Sequence, residues 1–213
     1  MEIINVDNNL LNYIEKNIFP EYSKNEKGHG IEHILYVIDR SMKLGMEYNL
    51  DLNIVYTIAA YHDIGHHIDP KNHEKLSAQI FYNDDFLKKY FNEEQRKIIK
   101  EAIEDHRSSL KSEPRTIYGV IITSADKSIS VKDIIKRTIS YSIEHYSHYT
   151  YEQQLERAIS HLIEKFGESG YAKKYIKDEK YEKFLEELRS LLKDKEKFKD
   201  IYDNIYKEVI RGE

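Results

Sequence analysis

The stretch AAYHDIGH occupies residues 59–66 and continues an apolar run of the sequence. Asp51 stands just before that run, and aspartate is a residue type that often caps a helix N-terminus. Gly65 favours a turn that ends the helix. The stretch therefore predicts a largely buried helix that carries the adjacent pair His62 and Asp63 at its C-terminal end.

The rest of the chain shows the same helical pattern. Apolar residues recur three and four positions apart from Ile31 to Met42, as in an amphipathic helix. Only three prolines and eight glycines occur in 213 residues, which favours long helices over short strands. We expect further helices around residues 76–81, from about 93 to 106, from Pro114 to about 126, two between 131 and 166, and two more in the tail.

These helices predict an all-α fold. The length suits one hydrophobic core, and no stretch rich in Gly, Ser or Pro divides the chain. We therefore expect a single domain over residues 1–213. Its last part, about 131–213, is expected to be a helical extension that ends in a Lys- and Glu-rich pair of helices.

Composition excludes several classes of function. Lys and Arg number 33 against 38 for Asp and Glu, a net charge of -5, so we expect no polynucleotide partner. The absence of cysteine excludes disulfides, thiolate zinc sites and cysteine nucleophiles. No stretch approaches the ~18 consecutive apolar residues of a membrane span. We expect a cytoplasmic protein without a membrane partner, and its oligomeric state is left open.

The arrangement of His and Asp suggests a metal centre. An imidazole nitrogen and a carboxylate oxygen at one helix end, as in His62-Asp63, suit divalent cations. An isolated pair of this kind is usually just a polar helix end. Two further residues support the metal hypothesis here, namely His33 on the preceding helix and Asp126 near the end of a later one.

These residues resemble the ligand set of the HD superfamily of metal-dependent phosphohydrolases. The surrounding motifs agree in type and order: GHGIEH at 28–33, HDIG at 62–65 and SADK at 124–127. The resemblance covers about residues 27–130 and implies an HD-type helical core there. It implies that one divalent ion is bound by His33, His62, Asp63 and Asp126.

Two more histidines bear on the number of ions. Two-metal members such as the bacterial diadenosine tetraphosphate hydrolases carry an extra His at the positions of His73 and His106. On this resemblance Asp63 bridges two ions, and these two histidines bind the second. The alternative is a single ion, with His73 as a surface helix cap and His106 in contact with phosphate or solvent. The metal is expected to be Mn, Fe, Co, Ni, Mg or Zn.

The remaining histidines are not predicted to be metal ligands. His29 lies four residues before His33 and is expected to support the ligands or the start of the helix. His66 and His67 are expected at the mouth of the cleft or in solvent. His145, His148 and His161 lie outside the motifs and are interpreted as surface or packing residues.

The resemblance implies hydrolysis of a phosphate ester or anhydride, in a nucleotide or another small phosphorylated metabolite, by a metal-activated water. Besides Asp63, the catalytic candidates are Arg107 and Lys127, which follow ligands directly and can face phosphate oxygens. Glu74 and Asp69 are the nearest candidates for a general acid or base.

Two alternatives stay open: a nucleotide-sensing module without turnover, and a di-iron oxygenase on the same fold. Many small bacterial members have Arg three residues after the first ligand, where this chain has Tyr36, so a phosphate contact is missing or supplied elsewhere. The motifs of three subfamilies are absent, namely those of the cyclic di-GMP phosphodiesterases, the alarmone hydrolases and the HD-type nucleotide triphosphohydrolases. The substrate is therefore not predicted.

Overall fold

The structure is a computed structural model that describes residues 5–26, 28–107, 109–110 and 112–212. Within these ranges the chain forms eleven α-helices and one 3₁₀ helix, and no β-strand occurs there. The prediction of an all-α fold is confirmed.

The chain separates into two compact units, Met1–Asp126 and Lys127–Glu213. The first unit contains the 3₁₀ helix Phe19–Lys24 and seven α-helices: α1 (Asn8–Asn17), α2 (Ile31–Glu47), α3 (Leu52–Tyr61), α4 (His73–Asn83), α5 (Asp85–Tyr90), α6 (Glu93–Asp105) and α7 (Ile117–Ala125).

Helix α3 lies at the centre of the first unit. It is apolar on all sides, and every residue from Ile54 to Tyr61 is buried, as expected for a helix that other helices surround. It contacts α2, α4, α6 and α7. Its N-terminus is capped as predicted, because the Asp51 carboxylate accepts a hydrogen bond from the Asn53 backbone N–H. Because these helices surround α3, its C-terminal end lies inside the first unit.

The second unit has a hydrophobic core of its own. Its helices are α8 (Val131–His145), α9 (Tyr151–Phe166), α10 (Glu179–Lys193) and α11 (Lys195–Arg211). Each has one apolar stripe, and together the stripes bury a cluster that includes Ile135, Leu162, Phe184, Leu188 and Tyr202. Two helices between 131 and 166 and two in the tail agree with the sequence prediction.

The division into units falls near residue 130, where the metal-binding core was predicted to end. The organisation as a single domain stays a prediction. In the part of the chain that the structure describes, no helix combines the length and the apolar composition needed to cross a membrane.

Two local predictions differ from the structure. Pro114 was placed in the first turn of a helix, but α7 begins later, at Ile117, with Thr116 as its N-cap. The backbone N–H of Arg115 donates instead to the Asp105 carboxylate, so this residue links α7 to α6 before the helix starts.

The short helix α5 was not predicted, because its six residues are too few to show a periodic pattern.

Candidate metal centre

The six predicted ligands lie at or beside helix ends of the first unit. His33 is in the first turn of α2, and His73 is the first residue of α4. The C-terminal ends of α3, α6 and α7 supply the C-cap residues His62, His106 and Asp126, and Asp63 follows His62 in a turn. A helix end can direct a side chain toward a neighbouring helix end, which is what allows six residues from distant parts of the chain to converge.

Three of the imidazole rings are oriented by the same local hydrogen bond. In each, Nδ1 is close to the backbone carbonyl three residues earlier: His62 with Ala59 (2.8 Å), His73 with Pro70 (2.9 Å) and His106 with Ile103 (2.7 Å). A carbonyl only accepts, so Nδ1 must be the protonated nitrogen. The lone pair of each ring is therefore on Nε2, the tautomer that a metal ligand requires.

Nε2 atoms and carboxylate oxygens form a first group around one point. His33 Nε2 lies 3.2 Å from Asp126 Oδ1 and 3.7 Å from Asp63 Oδ2. His62 Nε2 lies 3.6 Å from Asp63 Oδ2 and 3.9 Å from Asp126 Oδ1. Separations of this size between four donor atoms fit ligands that surround one cation.

A second group uses the other oxygen of the same carboxylate. Asp63 Oδ1 lies 3.3 Å from Nε2 of His73 and 3.3 Å from Nε2 of His106, and the two Nε2 atoms are 3.1 Å apart. Both Nδ1 atoms are protonated, so three lone pairs face one another inside the protein. Such an arrangement is repulsive unless a bound cation, or a proton on one of the imidazoles, lies between the three atoms.

The protonation behaviour of several of these groups agrees with a site for cations, whereas burial of His106 is outweighed by Asp63, which raises the pKa of that imidazole. Burial lowers the pKa of His62 to about 4, against the raising effect of Asp63. Burial alone would raise the pKa of Asp63, but His62, His106 and His29 hold it well below its usual range. His33 and His62 likewise overcome burial and keep the pKa of Asp126 below its usual range. Neutral imidazoles and ionised carboxylates are the forms that bind metals.

The donor set fits a divalent ion. His62 Nε2 is fully buried and has no hydrogen-bond partner among the described residues. A buried polar atom without a partner is costly, and a bound cation would satisfy it. Mixed imidazole and carboxylate ligands suit several first-row divalent ions. The two sets His33, His62, Asp126 and Asp63, His73, His106 can each hold one such ion.

His29, which is predicted to support the ligands, lies in direct contact with one of them. Its Nδ1 lies 2.7 Å from Asp63 Oδ2, and His29, His33 and Asp63 form a third group with ligand-like spacing. Its ring stacks on His66 at a centroid distance of 3.9 Å. His66 was expected at the cleft mouth or in solvent, but it is buried. The sequence shows these histidines but not the contact between them.

Asn25 is a residue of the site region that no sequence motif marks. Its Nδ2 donates to the backbone carbonyls of His29 (2.9 Å) and Asp63 (3.1 Å), and its Oδ1 accepts from the His67 backbone N–H (3.0 Å). One side chain thus joins the segment before α2 to the turn after α3. No local pattern marks such a residue, because its partners are far away in the sequence.

The two predicted substrate cations have different surroundings. Arg107 is 37% exposed at its side chain, and its Nη1 donates to the Lys71 carbonyl (2.6 Å) and lies 3.3 Å from Glu74 Oε2. Lys127 belongs to the second unit, where its ammonium donates to the Lys173 carbonyl and lies over two tyrosine rings. The roles of both residues in catalysis stay predictions.

The two predicted acid-base candidates also differ. Asp69 accepts hydrogen bonds from the backbone N–H groups of Lys71 and Asn72, so its carboxylate is used to form the turn before α4. Glu74 lies near the second ligand group, with Oε2 at 3.9 Å from His73 Nδ1. Glu74 therefore lies beside a predicted ligand of the second group.

An all-α unit with His and Asp ligands at its helix ends defines a class of helical metal-binding protein. The family model of the HD domain matches residues 30–129, so this segment of the chain is an HD domain. The resemblance stated from the sequence is thereby confirmed. Comparison with curated proteins gave no match, and comparison with solved structures gave none. HD domains are mostly metal-dependent phosphohydrolases, which indicates hydrolase-type activity in general.

Proposed function

We propose that the protein hydrolyses a phosphate ester or anhydride in a nucleotide or another small phosphorylated metabolite, with two divalent ions in the centre. The observation that supports this most strongly is the use of both Asp63 oxygens, each facing a separate set of imidazole nitrogens. A carboxylate placed in this way suits a bridge between two ions a few ångströms apart. Paired ions of this kind recur in enzymes that cleave phosphate esters.

The proposal assigns every predicted ligand. His33, His62, Asp63 and Asp126 would hold one ion, and Asp63, His73 and His106 the other. Bound there, a divalent ion would lower the pKa of a coordinated water to ~7 and polarise phosphoryl oxygens. The protein contributes by fixing the imidazole tautomers before the metal arrives and by holding two carboxylates ionised near neutral pH.

Arg107 is the first candidate for a contact to the phosphate group. Its guanidinium carries five N–H donors, of which the Nη1 donors are directed at Lys71 and Glu74. It stands one residue after a ligand and is partly exposed, so its other donors can meet non-bridging oxygens. Lys127 remains the second candidate, and its ammonium donates to the Lys173 carbonyl.

The test combines metal content with hydrolysis. The purified protein is stripped with a chelator, reloaded separately with Mn²⁺, Co²⁺, Fe²⁺ or Mg²⁺, and assayed on a generic phosphodiester and a panel of nucleotides. We expect activity that depends on added metal and falls about 100-fold or more in His62→Ala. His145→Ala, which changes an exposed histidine outside the ligand groups, should leave activity unchanged.

Two results would contradict the proposal. Hydrolysis that survives both the chelator and the His62→Ala substitution would come from another site or a contaminant. Tight nucleotide binding in calorimetry by metal-loaded protein, with no product formed, would favour the sensing alternative. Arg107→Gln adds a finer measurement, since loss of a phosphate contact should lower kcat/KM about 10-fold or more at unchanged metal content.

A further inference from the structure

The end of helix α6 decides where one ligand of the second group points. Asp105 is the last residue of α6, and His106 follows it as the C-cap. Carbonyl groups at a helix C-terminus lack partners within the helix, and terminal turns fray easily. The position of the His106 ring therefore depends on what fastens this helix end.

Arg115 holds the end of α6 in place from one side. The Asp105 carboxylate, only 4% exposed as a residue, accepts from the backbone N–H of Arg115 at 2.7 Å and from its guanidinium Nη2 at 2.8 Å and Nε at 3.0 Å. Nη2 also donates to the carbonyl of Glu101, one of the last carbonyls of α6. Bidentate hydrogen bonding between a guanidinium and a buried carboxylate fixes the relative geometry of the two groups.

Helix α7 fastens the same residue from the other side. The backbone carbonyl of Asp105 lies 3.1 Å from Thr123 Oγ1, whose single hydrogen is shared with the Gly119 carbonyl at 2.7 Å. Thr123 is buried three residues before Asp126, a ligand of the first group. Asp105 thus joins the end of α6 to the start of α7 through its side chain and to the end of α7 through its backbone.

We infer that Asp105 is a positioning residue that, through its contact with Arg115, holds His106 in the geometry that the second ion needs. This inference rests on the two-ion centre proposed above. His106 Nε2 must stay near Asp63 Oδ1, and only His73 and the shared carboxylate complete that group. The first group contains no residue from the end of α6. A more mobile α6 should therefore lower the affinity for the second ion and leave the affinity for the first ion unchanged.

The test is a titration of metal-free protein with Mn²⁺, followed by calorimetry and by the electron paramagnetic resonance signal of a coupled ion pair. Asp105→Asn keeps the size of the side chain and removes its charge. Glu104→Gln is the matched control, because Glu104 also accepts from Arg115 Nη2, at 2.7 Å, but from the partly exposed neighbouring position. Arg115→Lys keeps the positive charge but removes the guanidinium, which makes several hydrogen bonds to the Asp105 carboxylate. This variant tests the inference if Asp105→Asn does not fold.

We expect two ions in the native protein and in Glu104→Gln. In Asp105→Asn the second ion should bind about 10-fold to 100-fold more weakly, with the first ion within about 3-fold of native, and the coupled signal should appear only at higher Mn²⁺. Arg115→Lys should show a smaller loss in the same direction. The affinity of the first ion serves as the internal control for a purely structural defect.

Native affinity for both ions in both variants would overturn the inference, and so would equal weakening of both ions, since that indicates a general packing role. One ion in the native protein would overturn the two-ion centre together with the inference. Selective loss of the second ion in a protein that hydrolyses nothing would support the role of Asp105 while contradicting the proposed hydrolase function.

Discussion

Asp63 is the one ligand whose two oxygens face different groups, Oδ2 toward His33 and His62 and Oδ1 toward His73 and His106. Asp126 has its Oδ1 in the first group only. Replacement of either residue by the uncharged amide removes a negative charge without much change of volume. The two substitutions should therefore differ in how many ions they release.

We predict that Asp63→Asn retains neither ion after dialysis, whereas Asp126→Asn loses one ion and keeps the one bound by His73 and His106. Elemental analysis of metal per chain measures both outcomes. Circular dichroism of the two variants shows whether the helices are intact. An Asp63→Asn protein that keeps one full equivalent of metal would contradict a bridging role for this carboxylate.

Burial of His62 makes the metal-free protein sensitive to pH. Its pKa is lowered to about 4 by burial, while in the unfolded chain it would be near ~6.5. Between these values the unfolded chain binds more protons, so stability falls as the pH falls. Below about pH 4 this effect is complete. The raised pKa of His106, which Asp63 maintains against burial, acts in the opposite direction.

We predict that His62 alone costs the metal-free protein about 2 kcal/mol of unfolding free energy between pH 7.5 and pH 5. Urea unfolding of chelator-treated protein at the two pH values gives the loss, and His62→Gln should lose correspondingly less. An equal pH dependence in the native protein and in His62→Gln would show that other groups cause it.

Residue types, spacing and the resemblance to the HD family suffice to predict which six His and Asp side chains the fold brings together, although their role as ligands stays a prediction. They do not reveal Asn25 or the contact between Asp105 and Arg115. Ordinary polar residues become important here only through partners brought close by folding. The burial of His66 was missed for the same reason.

At the scale of elements, the close packing of α4 against the turn after α3 depends on Gly65. A Cβ atom at this position would lie 3.0 Å from Leu76 Cγ and 3.0 Å from the Ser77 backbone nitrogen. The Gly65 N–H also donates to Ser77 Oγ. Since α4 begins at His73, displacement of this helix would move a ligand of the second group.

We predict that Gly65→Ala destabilises the protein by about 1–3 kcal/mol, as overpacking does, and weakens metal binding. Gly30→Ala is the matched control, because a Cβ there meets only the Tyr22 carbonyl oxygen at 3.9 Å. Thermal unfolding and a Mn²⁺ titration measure the two effects. Equal stability of the two variants would mean that α4 adjusts without strain.

Most of the helices could be predicted because their apolar periodicity is long and the capping residues are recognisable. The start of α7 could not, since Arg115 takes part in a contact with α6 that no local signal reveals. Helix α5 is held by Asp84, which caps it and also accepts from the hydroxyls of Tyr13 and Tyr61. Such long-range contacts decide where short elements begin.

At the scale of the whole molecule, each unit has its own core, and every predicted ligand belongs to the first unit. A metal ion that binds only the folded first unit stabilises that unit by mass action. Helices α8 to α11 contribute no residue to either ligand group. The stabilising effect of the metal should therefore be local.

We predict that saturating Mn²⁺ slows amide hydrogen exchange in α2, α3, α4, α6 and α7 by about 100-fold where exchange requires unfolding of the unit. The core amides of the second unit should change little. Mass spectrometry of peptides from metal-free and metal-loaded protein provides the measurement, with Asp63→Asn as the protein that should not respond. Comparable slowing in both units would show that they unfold together.

Asp126 is both the last ligand along the chain and the last residue of the first unit, and the HD domain match ends just after it, at residue 129. All six predicted ligands are therefore encoded by one uninterrupted segment. In evolutionary terms, gene fusion or recombination can transfer this segment without dividing the ligands. The sequence that follows can diverge or be exchanged while a descendant protein inherits all six predicted ligands.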